Sequence, residues 1–196
     1  CMGNVSGKTE SPSMENIQFA NSQNSFKFVF VGNVTVGITS LLITYHEKGR
    51  FPTVYVPSVF DDFKVNITRD DETFEFSIWD TAGYEGYSRL RSLTYPKTDL
   101  FYICFSVVDY NSFEDVKKKW ISEISYHKLT STKIILVGTK TDLRNDQETL
   151  DNLAKDGKEP LIYEDGYNLA QEIGAIGYLE CSSLTNEKYE LIFEEG

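Results

Sequence analysis

Gly32-Asn33-Val34-Thr35-Val36-Gly37-Ile38-Thr39 fits the phosphate-loop pattern G-x-x-x-x-G-K-[ST] at every fixed position except the lysine, where Ile38 stands. In such a loop, backbone N–H groups wrap the α- and β-phosphates, the lysine ammonium reaches the β- and γ-phosphates, and the final hydroxyl coordinates Mg²⁺. The backbone cradle and the Thr39 hydroxyl are retained, and Ser40 follows at the start of a helix within the same candidate site. The charge is lost. Isoleucine offers neither charge nor hydrogen bond, and a missing charge-assisted phosphate contact costs about 1.5–3 kcal/mol, roughly 10- to 100-fold in affinity. Binding of nucleotide is therefore expected to be weakened.

The elements needed to position this loop are readable around it. Phe26–Val31 is an apolar run ending in Gly32, and Thr39–Lys48 has helical spacing of Leu41, Leu42 and Tyr45, so strand, loop and helix come in the required order. Val59–Arg69 and Thr73–Trp79 alternate apolar and polar residues around Asp70-Asp71, which predicts an antiparallel hairpin. Leu100–Val108 and Lys133–Val137 are near-continuous apolar runs of the kind found in parallel strands covered on both faces. Helices are expected over Ser112–His127, Asp165–Ile173 and, at the end, Asn186–Glu195, with a last strand at Tyr178–Cys181. The fold class expected is α/β, a six-stranded mostly parallel sheet with one antiparallel hairpin and helices on both faces, with ligands at the carboxyl ends of the strands.

Composition sets further bounds. The 196 residues, 40% of them hydrophobic, suit one domain with a filled core. Residues 1–25 are rich in Ser, Asn, Gly and Gln without periodicity and read as a disordered extension, leaving 26–196 as the domain. Within the extension, Gly3-Asn4-Val5-Ser6-Gly7-Lys8-Thr9 imitates a phosphate loop but is one residue short and follows no strand. Met2-Gly3 opens a poor myristoylation match, with Gly7 where Ser or Thr is wanted. Thirty acidic against 19 basic residues give a net charge of −11, which argues against nucleic acid or an anionic membrane surface as a partner. Cys1, Cys104 and Cys181 are far apart in sequence, so neither a disulfide framework nor a zinc site is expected. A monomer in a reducing cytoplasm is the expectation.

Four more segments carry the order and spacing of a guanine-nucleotide switch: Tyr55-Val56-Pro57-Ser58-Val59-Phe60-Asp61, Asp80-Thr81-Ala82-Gly83, Gly138-Thr139-Lys140-Thr141-Asp142, and Cys181-Ser182-Ser183. With the loop, they make the chain resemble the Ras superfamily of small GTPases, and specifically its Rho family, from about Phe26 onward. Trp79, Tyr95-Pro96 and an extra stretch over Gln147–Glu159, matching an insert helix, carry the Rho likeness. The resemblance implies GTP or GDP and Mg²⁺ as cofactors. It implies that Asp142 accepts from the guanine edge, that Lys140 lies along the base, that the Ser183 N–H meets the guanine carbonyl, and that Phe51 flanks the base. Gly83, Thr139 and Ser182 belong to the same candidate set. Thr39 and Ser58 are the implied direct Mg²⁺ ligands, and Asp80 holds the ion through water.

The departures from this family cluster at the phosphates. Tyr84 stands where a glutamine orients the attacking water, and Val34 replaces a glycine beside the γ-phosphate, crowding both water and an incoming arginine. Ser58 keeps a hydroxyl but loses a packing methyl. With Ile38, these changes imply no catalytic residue and very slow or absent hydrolysis. The leading expectation is an atypical Rho-like signalling switch that binds effectors through Tyr55–Asp61 and Tyr84–Tyr95, with exchange factors near Trp79 and a cytoskeletal role implied by the likeness alone. A pseudoGTPase that binds little or no nucleotide is the alternative, and a slow GTPase rescued by a partner is the second. No polybasic tail or C-a-a-X box occurs, so contact with the inner face of the plasma membrane is expected only through a tail or lipid outside this sequence.

Overall fold

The computed structural model describes residues 24–54, 60–69, 71–127 and 132–193. The element order is β1 (Ser25–Gly32), α1 (Ile38–His46), β2 (Phe60–Arg69), β3 (Glu72–Thr81), α2 (Ser88–Ser92), β4 (Leu100–Ser106), α3 (Tyr110–Asp115), a π-helical segment (Val116–Ile121), α4 (Ser122–Ser125), β5 (Lys133–Thr139), α5 (Gln147–Lys155), α6 (Tyr163–Glu172) and β6 (Gly177–Glu180). The six strands stand in the order β2-β3-β1-β4-β5-β6. Only β2 and β3 pair antiparallel; all other pairs are parallel.

Strand period explains how one sheet serves two cores. Along β1, Phe26, Phe28 and Phe30 point to one face while Val29 and Val31 point to the other, and β4 splits the same way into Leu100, Tyr102, Cys104 and Phe101, Ile103, Phe105. The first face packs against α1 and the carboxyl-terminal residues Tyr189, Ile192 and Phe193; Phe30 and Tyr102 stack there with ring centroids 4.3 Å apart. The second face packs against the helices after β4 and β5, with Val116, Trp120, Ile124 and Leu169 fully or nearly fully buried. Both faces are covered, as the continuous apolar runs demand.

Two expected helices are corrected. The segment expected as a helix over Ser112–His127 begins earlier, at Tyr110, and carries the π-helical turns Val116–Ile121 in its middle. The helix expected over Asn186–Glu195 is absent among the described residues. Ser182 and Glu187 instead form an antiparallel bridge, and a short 3₁₀ turn follows at Glu190–Ile192. Left-handed backbone at Asn186 (φ 61°) and Lys188 (φ 53°) breaks the α-helical path. Free thiols at Cys104 and Cys181 are buried, and burial pushes both thiol pKa values up, that of Cys181 to about 12.

Candidate nucleotide site

β1 lies between β3 and β4, and the loop after it opens at the sheet's carboxyl edge, where the connections on either side diverge. The loop turns through left-handed backbone at Thr35 (φ 67°) and Gly37 (φ 99°), which delivers the chain into the first turn of α1. A side chain at Gly32 is excluded, since a Cβ there would lie 2.5 Å from the Cys104 carbonyl oxygen. Thr139 clamps the loop from β5, its hydroxyl within hydrogen-bond distance of the carbonyls of Val36 (2.6 Å) and Phe105 (2.9 Å). Thr81 ties β3 to β1 by donating to the Phe30 carbonyl at 2.6 Å.

The loop, the end of β3 and the segment after α1 enclose a cavity of about 560 Å³. Of the sequence-derived candidates it gathers Asn33, Val34, Thr35, Gly37, Ile38, Thr39, Ser40, Phe51, Asp80, Gly83 and Lys140, with Tyr84 at its wall. Gly32 and Val36 support the loop from behind without lining the cavity. Thr139, Asp142, Ser182 and Ser183 also stand outside its wall; the Ser182 hydroxyl donates to Asp142 Oδ1 at 2.5 Å, and the Thr141 N–H donates to the Cys181 carbonyl at 3.3 Å. These contacts bring the two segments expected to read the base together. Ser58, with Tyr55–Val59, lies outside the described residues; Phe60 and Asp61 open β2.

The arrangement suits a nucleotide with Mg²⁺. The volume lies in the range of small-molecule sites, and the Thr39 hydroxyl donates to Asp80 Oδ2 at 2.6 Å, placing two hard oxygen donors side by side at the mouth of α1. Among the described residues no group of three or more His, Cys, Asp or Glu side chains is placed to hold a metal, so this pair would leave most of a Mg²⁺ coordination shell to water and phosphate, as that ion prefers. Ile38 does not project as a cation substitute. It is 6% exposed and belongs to the first-face core, its Cδ1 3.2 Å from where a Gly32 Cβ would be. Lys140 is the one cationic side chain lining the cavity among the described residues, and its Cε lies 3.7 Å from the position of a Gly37 Cβ. Burial pulls the Lys140 ammonium below its ordinary pKa, opposed by the charges of Asp109 and Asp142.

A second layer of contacts, invisible to motif reading, braces this site. The Asn33 amide donates to Asp115 Oδ2 at 2.7 Å, and the Trp120 indole N–H donates to Asn33 Oδ1 at 2.8 Å, so the last residue of α3 and the π-helical segment together grip the loop. Arg91 of α2 is fully buried and forks onto Glu123 through two 2.8 Å bonds, while the Tyr95 hydroxyl donates to the same carboxylate. Its Nη1 donates to the carbonyls of Ala82 and Tyr84, and its guanidinium stacks 4.7 Å from the Trp120 ring centroid. Burial pushes the Glu123 carboxyl up, but the bonds from Arg91 and Tyr95 outweigh it and hold its pKa below the usual range. Residues 32 apart in sequence carry no pairing signal, so this network had no legible trace.

A parallel-sheet crevice with a glycine-turned phosphate loop, an adjoining hydroxyl–carboxylate pair and a lysine–aspartate loop defines a nucleotide-binding α/β domain of the small-GTPase type. The family model described as Ras family matches residues 27–196, and the chain belongs to the Ras family. It is a small GTPase-like nucleotide-binding switch domain, in a family whose members bind guanine nucleotide and Mg²⁺.

Proposed function

We propose that the chain is an atypical Rho-like switch that binds GTP with weakened phosphate contacts, hydrolyses it very slowly if at all, and acts by engaging effector proteins. The observation that carries this reading is the cavity's charge. Its phosphate end is lined by the buried apolar Ile38 and by Val34, and its one cation among the described residues is the base-side Lys140. Backbone dipoles of the loop and of α1 then supply most of the protein's attraction for phosphate. Tyr84, 62% exposed, has no amide with which to orient water. Tyr84, Leu90 and Leu93 are exposed apolar side chains on the segment after β3, which supports effector docking through Tyr84–Tyr95, joined on this reading by Tyr55–Asp61. Exchange factors would approach near Trp79. The expected setting is cytoplasmic, with the chain monomeric and with membrane contact only through a tail or lipid.

Single-turnover hydrolysis of GTP tests this reading. The wild type is expected to release phosphate more slowly than the triple variant Ile38→Lys, Val34→Gly, Tyr84→Gln by well over about tenfold, a usual minimum for restoring positioned chemistry. Equal rates in the two proteins would sink the proposal.

A further inference from the structure

The turn Ala82-Gly83-Tyr84 is held from below by two cations. Arg91 donates to the Ala82 and Tyr84 carbonyls, and Lys119 reaches the Gly83 carbonyl at 3.5 Å while pairing with Glu85 at 2.7 Å. Both cations lie against the face of Trp120, at 4.7 and 4.4 Å from its centroid. A planar trans peptide points its N–H opposite to its C=O. With the Ala82 carbonyl fixed on Arg91, the Gly83 N–H is turned away from the buried guanidinium, and Gly83 itself lines the cavity. Gly83 also rests directly on the phosphate loop: a Cβ there would fall 2.3 Å from the Gly32 carbonyl oxygen and 2.6 Å from the Val34 nitrogen.

This support needs no phosphate. Switch segments of this family are ordinarily ordered by contacts to a terminal phosphate and its Mg²⁺ and are released when these go. Here the ordering contacts come from Glu123, Tyr95 and Trp120, all outside the nucleotide cavity. A fully buried guanidinium bound on both sides is costly to dislodge, because moving it strands the Glu123 carboxylate as well.

We propose that Arg91 is a positioning residue that keeps the second switch in its phosphate-receiving conformation whether or not nucleotide is bound, with the Gly83 N–H committed in advance to a terminal phosphate. The part that concerns phosphate rests on the nucleotide-switch reading; the latch itself does not. Its consequence is that this switch reports nucleotide weakly at the 84–87 segment, beyond the Gly83 N–H itself, and that GTP gains over GDP through Arg91 although Arg91 touches neither.

Hydrogen exchange at the amides of 84–87, which excludes the Gly83 N–H that a terminal phosphate would itself protect, measured with no nucleotide, with GDP and with GTP, tests the latch, and titration with fluorescent GDP and GTP tests its effect. In the wild type, exchange is expected to differ by less than about threefold among the three conditions. Arg91→Lys and the milder Tyr95→Phe, each checked for a native circular dichroism spectrum, are expected to speed exchange at 84–87 by about tenfold or more in the nucleotide-free protein. Arg91→Lys is expected to weaken GTP about tenfold while leaving GDP within about twofold, a split that a merely structural role would not produce. Strong protection that arises in the wild type only on adding GTP would overturn the latch, as would equal weakening of both nucleotides. If the wild type binds neither nucleotide, the switch reading fails, and the exchange comparison of wild type with Tyr95→Phe still decides the latch.

Discussion

Ile38 occupies the place of a phosphate-binding ammonium, yet its side chain completes a hydrophobic core instead, in contact range of Gly32 and beside Leu41 and Leu42. A lysine stem can follow much the same apolar path and carry its ammonium out to the cavity that Ile38 already lines. Ile38→Lys is therefore expected to tighten GTP by about 10- to 100-fold, measured by fluorescent-nucleotide titration. No gain would mean that the loop's backbone geometry, and not its missing charge, limits binding. Gly83 makes the complementary case for backbone fit. Because its would-be Cβ meets main-chain atoms of the loop at 2.3 and 2.6 Å, Gly83→Ala cannot be absorbed by a side-chain rotation. It should destabilise the fold by about 1–3 kcal/mol in urea titration and displace the second switch from the loop. An unchanged midpoint would show that the turn yields easily.

At the scale of elements, the helix after β4 does more than cover the sheet. Asp109 caps α3 by accepting from the N–H groups of Asn111 (3.0 Å) and Ser112 (3.3 Å), and its charge also supports the ammonium of Lys140. Asp109→Ala is expected to cost about 1 kcal/mol, a melting shift of about 2–4 °C for a chain of this size. The strands were legible because two-sided burial writes apolar runs, and the hairpin because β2 and β3 alternate. The π-helical turns were not, because Val116–Ile121 has the composition of an ordinary helix and only tertiary contacts of Trp120 and Lys119 reveal its role. The departure from a helix over 186–193 has a related reason. Asn186–Glu195 has helical composition, but the Ser182–Glu187 bridge turns the chain to bring Ile192 and Phe193 onto the sheet. Among the site residues, those within contiguous motifs could be read, whereas the Arg91–Glu123 pair spans two elements and could not.

For the molecule as a whole, acid stability follows from that same pair. Glu123 has a folded pKa below its unfolded value, so its stabilisation is present above about pH 4.3 and is lost as pH falls through the folded value. In acid unfolding the wild type should lose stability over that window with a slope of at most about 1.4 kcal/mol per pH unit from this group. Glu123→Gln should be less stable at neutral pH and flatter below pH 4.3, so parallel acid limbs would contradict the assignment. The net charge of −11 leaves the molecule without a general attraction for anionic partners, so its affinity for a polyphosphate must be local to the loop, α1 and Mg²⁺. The most direct measurement is to load the protein with Mg²⁺-GTP, remove excess, denature after timed intervals and identify the released nucleotide by chromatography. Bound guanine nucleotide that remains GTP over many hours is expected. Rapid conversion to GDP, or no retained nucleotide even at millimolar loading, would contradict it.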